Sequence, residues 1–327
     1  MNIKIRDVAK LAGVSIPTVS RVLNKNKYVS PGLEKRVLNA VKELNYIPDD
    51  NARNLSANKS NAVGIIIPDL NESISRFIDS CSTVLDEFGY DLMIGKSGGE
   101  LKRELELLDL QLSMQVSGMI LVSSHASKKI VEILQKESLP VIFTYNRALV
   151  PGMHSRYFDN EKAAATLISS IPDIENKFVY ILAGPSNDTI SNSRITGFLQ
   201  IIGGLNNYEI FMCEGTLDDG YRTVLKILKD KKPEILLCLN DLMAIGALRA
   251  AYELGIQVPN QMEVTGFDST AYFQISTPAL TTVKFDNYLL GRESARSIIS
   301  LIEGNEEEEE EIFGFEILQA ESCKLII

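Results

Sequence analysis

The chain has 327 residues, of which 45% are hydrophobic, and its formal net charge at pH 7 is −10. This length exceeds one ordinary hydrophobic core, so two or three domains are expected. No apolar run approaches the roughly 18–20 residues of a membrane span, and residues 1–6 lack the apolar segment of a signal peptide. The sequence therefore predicts a cytoplasmic protein with no membrane partner.

The cysteines give no sign of a metal site. The chain has four cysteines and two histidines, and no cysteine pair has the CxxC spacing. A zinc site needs four such ligands at close spacing. We therefore expect buried, reduced thiols and no metal or other cofactor.

Charge is divided unevenly along the chain. Residues 1–60 contain 11 Lys and Arg against 5 Asp and Glu, whereas the remainder contains 22 against 38. A basic head can neutralise DNA phosphates, and an acidic body repels nonspecific DNA. The distribution predicts a phosphate-binding module joined to an acidic regulatory domain.

Residues 4–24 have the pattern of a helix, a tight turn and a second helix. Gly13 lies where the turn needs a permissive backbone, Ser15 is placed as an N-cap, and Pro17 falls in the first helical turn. The apolar spacing predicts a small core. Its expected members are Val8, Ala9, Leu11, Val14, Val19 and Leu23. The second helix is then expected to expose Ser15, Ile16, Pro17, Thr18, Ser20 and Arg21, which suits reading of a DNA major groove.

A third helix is predicted from Ser30-Pro31 to about Leu44, with an N-cap followed by proline. The next segment, residues 49–58, is short and polar with one large apolar side chain, Leu55. A segment of that length does not hold a helix alone in water, so by itself it reads as a flexible linker.

From Ala62 onward, apolar strands alternate with helical stretches. Predicted strands lie at 62–67, 90–94, 118–122, 140–145, 178–182, 209–212, 235–238 and 263–266. Strands separated by helices of this length indicate parallel sheets, and two successive series indicate two doubly wound subdomains. Ligands of such sheets bind beyond the carboxyl ends of the strands, so the cleft between the subdomains is the expected pocket.

Polar side chains follow the predicted strands at that edge. Arg194 belongs to a helix after the Gly184-Pro185 loop, and Asn240 and Asp268 directly follow strands. Together they offer donors and acceptors that suit adjacent hydroxyl groups, although each is also a plausible capping or turn residue. Asp69 and Tyr145 lie at strand ends of the first series. The run Glu306–Glu311 is predicted to be a solvated, mobile loop.

The head and core together resemble the LacI/GalR family of bacterial repressors. The motifs that carry the resemblance are Asp7-Val-Ala, Ala12-Gly-Val-Ser, Thr18-Val-Ser-Arg-Val-Leu-Asn24, Val29-Ser30, Ala40-Val-Lys-Glu-Leu-Asn-Tyr46, Pro48, Ala52-Arg53 and Leu55. The resemblance implies a small all-α helix-turn-helix head and an α/β core of two doubly wound parallel-sheet subdomains, like periplasmic binding proteins. The implied boundaries are 1–48 for the head, 49–60 for a hinge helix and 61–327 for the core. Within the core, the N-subdomain takes about 61–159 and 288–317, and the C-subdomain takes about 160–287 and 318–327.

The resemblance also implies a function and the residues that perform it. It implies a homodimeric, ligand-controlled transcriptional repressor, not an enzyme, whose partners are pseudo-palindromic double-stranded operator DNA and a small molecule, most simply a carbohydrate. The implied DNA contacts are Ser15, Ile16, Pro17, Thr18, Ser20, Arg21, Asn24 and Ser30 in the head, with Ala52 and Leu55 of the hinge helix in the minor groove. The implied effector contacts are Asp69, Tyr145, Arg194, Asn240, Asp268 and Phe285.

Two alternatives remain from the sequence. A solute-binding protein with a vestigial DNA-binding head shares the expected core fold, and an enzyme could have borrowed such a head. No GxxxxGK phosphate loop, GxSxG elbow or paired acid and base marks the chain as an enzyme.

Overall fold

The structure is a computed structural model, and it describes residues 3–24, 28–44, 46, 60–122, 128–148, 151–229, 232–269, 271 and 274–326. The chain forms two compact units, residues 1–60 and 61–327. The predicted hinge contacts Ala52 and Leu55 lie outside the described residues. None of the described helices is long and apolar enough to cross a membrane.

The described residues of the first unit form three helices: α1 (Ile5–Ala12), α2 (Ile16–Asn24) and α3 (Pro31–Glu43). Gly13 ends α1 in the left-handed conformation with φ of 63°, which explains the glycine at the turn. The small core consists of Val8, Ala9, Ala12, Val19, Val22, Val37 and Ala40. The prediction was wrong for Leu11, which is 45% exposed, because α1 turns Val8 and Ala12, one turn apart, toward the core instead.

The second unit contains two lobes, each built on a six-stranded sheet. In the first lobe the sheet order is β11-β5-β4-β3-β1-β2, and in the second it is β12-β10-β9-β8-β6-β7. The strands and helices of the first lobe are β1 (Ala62–Ile67), α4 (Glu72–Glu87), β2 (Asp91–Lys96), α5 (Leu101–Ser113), β3 (Gly118–Leu121), α6 (Lys128–Glu137), β4 (Val141–Thr144), β5 (His154–Phe158), α11 (Asn287–Ile302) and β11 (Glu310–Phe313).

The second lobe has the same architecture. Its elements are α7 (Asn160–Ser169), a 3₁₀ turn (Ile174–Asn176), β6 (Val179–Ala183), α8 (Thr189–Ile202), β7 (Tyr208–Met212), α9 (Leu217–Ile227), β8 (Ile235–Cys238), α10 (Asp241–Glu253), β9 (Glu263–Phe267), β10 (Thr281–Phe285) and β12 (Phe315–Leu318). Only β12 runs antiparallel to its described neighbour; the other described strand pairs are parallel. The two doubly wound parallel-sheet subdomains are therefore confirmed.

The chain passes between the lobes after β5, after β10 and between β11 and β12. The last passage is at Gly314, since β11 pairs with β5 and β12 pairs with β10. Residues 315–317 thus belong to the second lobe, not to the first as the boundary at 317 implied. A single glycine is enough to connect these two edge strands, so the crossover requires no additional residues.

The acidic run Glu306–Glu311 is not the free loop that its composition predicts. Glu310 and Glu311 lie in β11. Arg156, only 1% exposed, donates from Nη2 to Glu307 Oε2 at 3.0 Å, and its Nε lies 3.2 Å from Glu311 Oε2. Arg147 Nε donates to Glu310 Oε1 at 2.6 Å. The acids are held in place because two arginines of the first lobe compensate their charge.

All four cysteines, Cys81, Cys213, Cys238 and Cys323, are buried and form no disulfide. Burial raises the pKa of each thiol. Neutral thiols are poor nucleophiles and poor metal ligands, so these side chains act as small apolar core groups.

Candidate effector cleft and DNA-reading helix

A cleft of about 990 Å³ lies between the two lobes of the core, at the carboxyl ends of both parallel sheets. Its lining includes residues that follow each strand from β1 to β4 and from β6 to β9. The six predicted effector residues, Asp69, Tyr145, Arg194, Asn240, Asp268 and Phe285, all line this one cleft. Their convergence comes from topology, since parallel strands end at the same edge of a sheet.

Arg194 is the centre of the polar network in the cleft. It lies in the second turn of α8, which begins at Thr189. Its guanidinium donates from Nε to Asn160 Oδ1 at 2.8 Å, from Nη1 to the Leu239 carbonyl at 2.5 Å, and from Nη2 to Asp268 Oδ1 at 2.7 Å. Arg194 is 5% exposed. Three of its five N–H groups therefore serve the protein itself.

Aromatic rings surround the same guanidinium. Its carbon lies 4.6 Å from the centre of the Phe267 ring and 5.4 Å from that of Phe285. Phe285 is 6% exposed and also lies against Phe158 at 4.7 Å between ring centres. Phe285 thus forms an apolar wall of the cleft, and cation–π attraction holds Arg194 against it.

Two of the predicted residues have left-handed backbone conformations. Asp268 has φ of 93° and Tyr145 has φ of 66°. Such conformations are costly for residues with side chains and cluster at ligand-binding sites, where surrounding contacts enforce them. Two hydrogen bonds hold the backbone conformation of Asp268. Its N–H donates to the Val283 carbonyl at 2.8 Å, and its carboxylate accepts from Arg194.

Asn240 and Asp69 are engaged in local bonds. Asn240 is the N-cap of α10: its Oδ1 accepts from the Met243 N–H at 2.8 Å, and its Nδ2 donates to the Gly215 carbonyl at 2.9 Å. Asp69 lies at the rim with its side chain 66% exposed, 2.5 Å from Lys96 Nζ. The hydrogen bond from Lys96 lowers the pKa of the Asp69 carboxyl. Both residues line the cleft with part of their bonding capacity already used.

A repeated tripeptide forms two of the three passages between the lobes. Phe158-Asp-Asn160 follows β5 and Phe285-Asp-Asn287 follows β10. In each copy the aspartate caps the next helix and the asparagine Nδ2 donates to the phenylalanine carbonyl. The Oδ1 atom of each asparagine accepts a further hydrogen bond: that of Asn160 from Arg194, and that of Asn287 from the Tyr145 hydroxyl at 2.8 Å.

Sequence reasoning missed Asn160, Asn287 and Asp188, which also line the cleft. The repeated Phe-Asp-Asn was a signal that could have found the first two. Asp188 is the N-cap of α8, and its Oδ1 accepts from the Ile190 N–H at 3.0 Å. Burial raises the pKa of the Asp188 carboxyl, and Arg194 opposes that shift. Its position in the loop after β6 was the available signal.

Polar contacts between described residues join the lobes across the cleft. Thr189 Oγ1 donates to Asn146 Oδ1 at 2.9 Å, and the Ala271 N–H donates to both Glu72 carboxylate oxygens at 3.0 and 2.9 Å. Both contacts are exposed and join residues far apart in sequence. Exposed contacts of this kind are individually weak, so they can break and form as the lobes move.

The head presents the predicted residues as follows. Ser15 precedes α2, and its hydroxyl is hydrogen-bonded to that of Thr18 at 2.9 Å. Ser15, Ile16, Pro17, Arg21 and Ser30 are exposed, and Thr18 and Ser20 are half-buried. Asn24 ends α2, but its side chain is outside the described residues. One face of α2 is therefore accessible around its N-terminus, as a recognition helix requires.

Comparison with known proteins agrees with both units. Residues 4–49 match the model of bacterial regulatory proteins of the lacI family, and residues 176–321 match a periplasmic binding protein-like domain. Catabolite control protein A of Priestia megaterium is 33% identical over 90% of this chain and 91% of its own length. The ribose operon repressor of Halalkalibacterium halodurans is 32% identical over 91% of this chain and 90% of its own length.

The fold has close counterparts among solved structures. The lac repressor bound to ONPG in the repressed state superposes with a TM-score of 0.86 over 99% of this chain and all of its own, at 24% identity. That likeness concerns the fold, whereas the relatives of similar length carry the assignment of family. These relatives are regulators rather than enzymes, and they give no support to a solute-binding protein with a vestigial head. The chain belongs to the LacI family of bacterial regulatory proteins and is a transcriptional regulator with a helix-turn-helix head.

Proposed function

We propose that the protein is a homodimeric, cytoplasmic repressor that binds a pseudo-palindromic operator and whose affinity for it is controlled by a small molecule in the cleft. The observation that carries this proposal is the combination, in one chain, of an accessible α2 face and a cleft lined by convergent polar side chains. A sugar or sugar derivative suits the cleft because its hydroxyl groups can bond to the amide and carboxylate groups, while its apolar face can lie against the wall formed by Phe285. The names of the relatives, which include a ribose operon repressor, support this class of ligand.

In the proposed complex, α2 enters the major groove with its N-terminus toward the bases. Arg21 is the residue that can make a bidentate contact to guanine O6 and N7. Ile16 and Pro17 have no side-chain donors, so they contact thymine methyl groups or exclude other bases. Thr18, Ser20, Asn24 and Ser30 contact phosphates and set the register. Ala52 and Leu55 belong to a hinge segment whose apolar side chain enters the minor groove.

Arg21→Ala is expected to weaken operator binding by about 1–3 kcal/mol and to relax preference at one base position. The cause is loss of a base-specific contact without loss of the α2 fold, since Arg21 is exposed. Competition against operators changed at single positions measures the effect. Equal weakening on operator and scrambled DNA would contradict the assigned role and make Arg21 a phosphate contact.

A homodimer supplies the two heads that a palindrome requires, because one half-site alone binds weakly. The first lobe carries apolar side chains that a second copy can cover: Ile94 on the edge strand β2 is 50% exposed, and Leu110 of α5 is 53% exposed. We place the dimer contact along the core lobes for this reason.

Binding of the small molecule is proposed to change the angle between the lobes. The polar contacts Asn146–Thr189 and Glu72–Ala271 join the lobes at the cleft, so a ligand that strengthens or breaks them shifts the closure equilibrium. Coupling to DNA binding of about 1–3 kcal/mol is expected from such shifts.

Asp268→Ala is expected to reduce the response of operator binding to the ligand by at least about tenfold, because a charge-assisted contact is lost. Operator affinity without ligand is expected to stay close to that of the unmodified protein. Titration of ligand into protein–operator complexes measures both quantities. Asp268→Asn is the matched comparison. Asparagine tolerates the positive φ and can accept the hydrogen bond from Arg194, but it carries no charge. An unchanged ligand response in Asp268→Ala would remove this residue from the site.

A further inference from the structure

The ionisable groups that line the cleft are strongly unbalanced. Among the described lining residues, the acids are Asp69, Glu72, Asp188, Glu214, Asp241 and Asp268, and the one lysine, arginine or histidine is Arg194. Two of these acids have cationic partners on the first lobe: Asp69 pairs with Lys96, and Glu72 pairs with Arg76 at 3.0 Å. Among the described lining residues of the second lobe, Arg194 is the one cationic side chain.

The single guanidinium is already matched by a carboxylate. Arg194 Nη2 lies 2.7 Å from Asp268 Oδ1, and the side chain of Asp268 is 27% exposed, so its charge reaches the cleft. Asp188, the N-cap of α8, lines the cleft together with this pair. Burial raises the pKa of the Asp188 carboxyl, Arg194 opposes that shift and Asp268 adds to it. One guanidinium and two carboxyl groups therefore line this part of the cleft. Glu214, exposed at the rim, adds a further acidic side chain.

The helix N-termini at the cleft are partly occupied by side chains of the protein itself. An anion ordinarily binds such ends through free backbone N–H groups. At four of these ends a side chain already accepts one such bond: Asn71 from Ile74, Asp188 from Ile190, Thr216 from Asp219 and Asn240 from Met243. The carboxylates that line the cleft can only accept hydrogen bonds when ionised, which favours ligands rich in donors.

We propose that the cleft selects its ligand by charge, preferring a polyhydroxylated compound with a protonated amine over the neutral sugar and excluding the corresponding phosphate ester. This inference rests on the proposed function, since it specifies the chemistry of the ligand bound at that same site. Asp188 and Asp268 are the specificity-determining residues: an ammonium group placed between them accepts no bonds, donates up to three and neutralises the local excess charge. A phosphate at the same place meets two carboxylates and no uncommitted cation among the described lining residues.

The test uses isothermal titration of the full-length protein with three compounds that share one ring: D-glucosamine, D-glucose and D-glucose 6-phosphate. N-acetylglucosamine controls for the size of the substituent without its charge. The expected order of affinity is glucosamine, then glucose, then the phosphate, with steps of about tenfold, as one ionic interaction at intermediate dielectric provides. Asp188→Asn is expected to abolish the preference for glucosamine over glucose.

The substitution has a matched control. Asparagine caps helices as well as aspartate does, so Asp188→Asn preserves the start of α8 and changes only the charge. Asp286→Asn makes the same exchange at the N-cap of α11, whose aspartate is exposed and is not part of the cleft lining, and is expected to leave the order unchanged. Melting temperatures of both variants confirm that the fold is retained.

Three results would overturn the inference: no binding of glucosamine at millimolar concentration, binding of the phosphate that equals or exceeds that of glucosamine, or an unchanged order in Asp188→Asn. Operator binding measured on the same samples separates this inference from the proposed function. If the phosphate binds best and also changes operator affinity, the charge preference is wrong and the regulator stands. If no operator is bound at low salt while the amine preference holds, the cleft inference stands and the regulator fails.

Discussion

Arg194→Met is expected to destabilise the core by about 3 kcal/mol and to eliminate ligand binding. Removal of one partner from a buried ion pair costs about 3–5 kcal/mol, and the lower end applies here because Asp268 retains some contact with water. The substitution also leaves Asn160 Oδ1 and the Leu239 carbonyl without their donor. The apolar methionine retains contact with Phe267 and Phe285, so the loss of stability measures the contribution of the polar network.

Urea unfolding followed by circular dichroism measures this effect, since the chain contains no tryptophan to report on the core. Arg194→Lys is the control: it keeps the charge but cannot direct three donors to three separate acceptors, so an intermediate stability is expected. An unfolding midpoint of Arg194→Met equal to that of the unmodified protein would show that the network does not stabilise the core.

Arg156→Met is expected to have a larger effect on stability, about 4 kcal/mol, because this guanidinium is 1% exposed and joins three parts of the first lobe. It donates to Ser297 of α11 at 3.1 Å, to the carbonyls of Ser155 and Glu308, and to Glu307. Without it, Arg147 alone compensates the repulsion within the acidic run, and β11 is expected to separate from β5.

Thermal unfolding gives the loss of stability, and amide hydrogen exchange at residues 310–313 reports separation of β11. Glu311→Gln is the matched control at the other end of the contact. The side chain of Glu311 is 43% exposed, so loss of this one carboxylate is expected to cost less than about 1 kcal/mol. Equal effects of the two substitutions, or unchanged exchange in β11, would contradict the stabilising role assigned to Arg156.

The apolar strands could be predicted because their buried positions are occupied by apolar residues. Ile235–Cys238 is buried throughout and matches the predicted strand, as an interior parallel strand should. Strand β10 was missed because Thr281 and Thr282 make it look polar, yet both are fully buried. Their hydroxyls donate to the Cys323 carbonyl and to Asp241 Oδ1, partners more than forty residues away that no local pattern reveals.

The edge strand β11 was missed for a related reason. Acidic residues such as Glu310 are depleted in strands, and only the distant Arg147 and Arg156 make β11 favourable.

The cleft could be located from the sequence, but the bonding of its residues could not. Parallel strands must end together, so Asn240 and Asp268 were expected at one edge. The sequence did not show that Asn240 caps α10 or that Arg194 is shared among Asn160, Leu239 and Asp268. Those bonds depend on side chains brought together from separate elements of the second lobe, which periodicity and spacing do not encode.

The most direct test of the account is fluorescence anisotropy of the full-length protein with a pseudo-palindromic operator selected from a random pool, with and without a panel of sugars and amino sugars. We expect tight, salt-dependent binding with two chains per operator, changed by one compound that also binds the cleft. Binding of a cleft ligand by a protein that does not bind any selected DNA at low salt would contradict it.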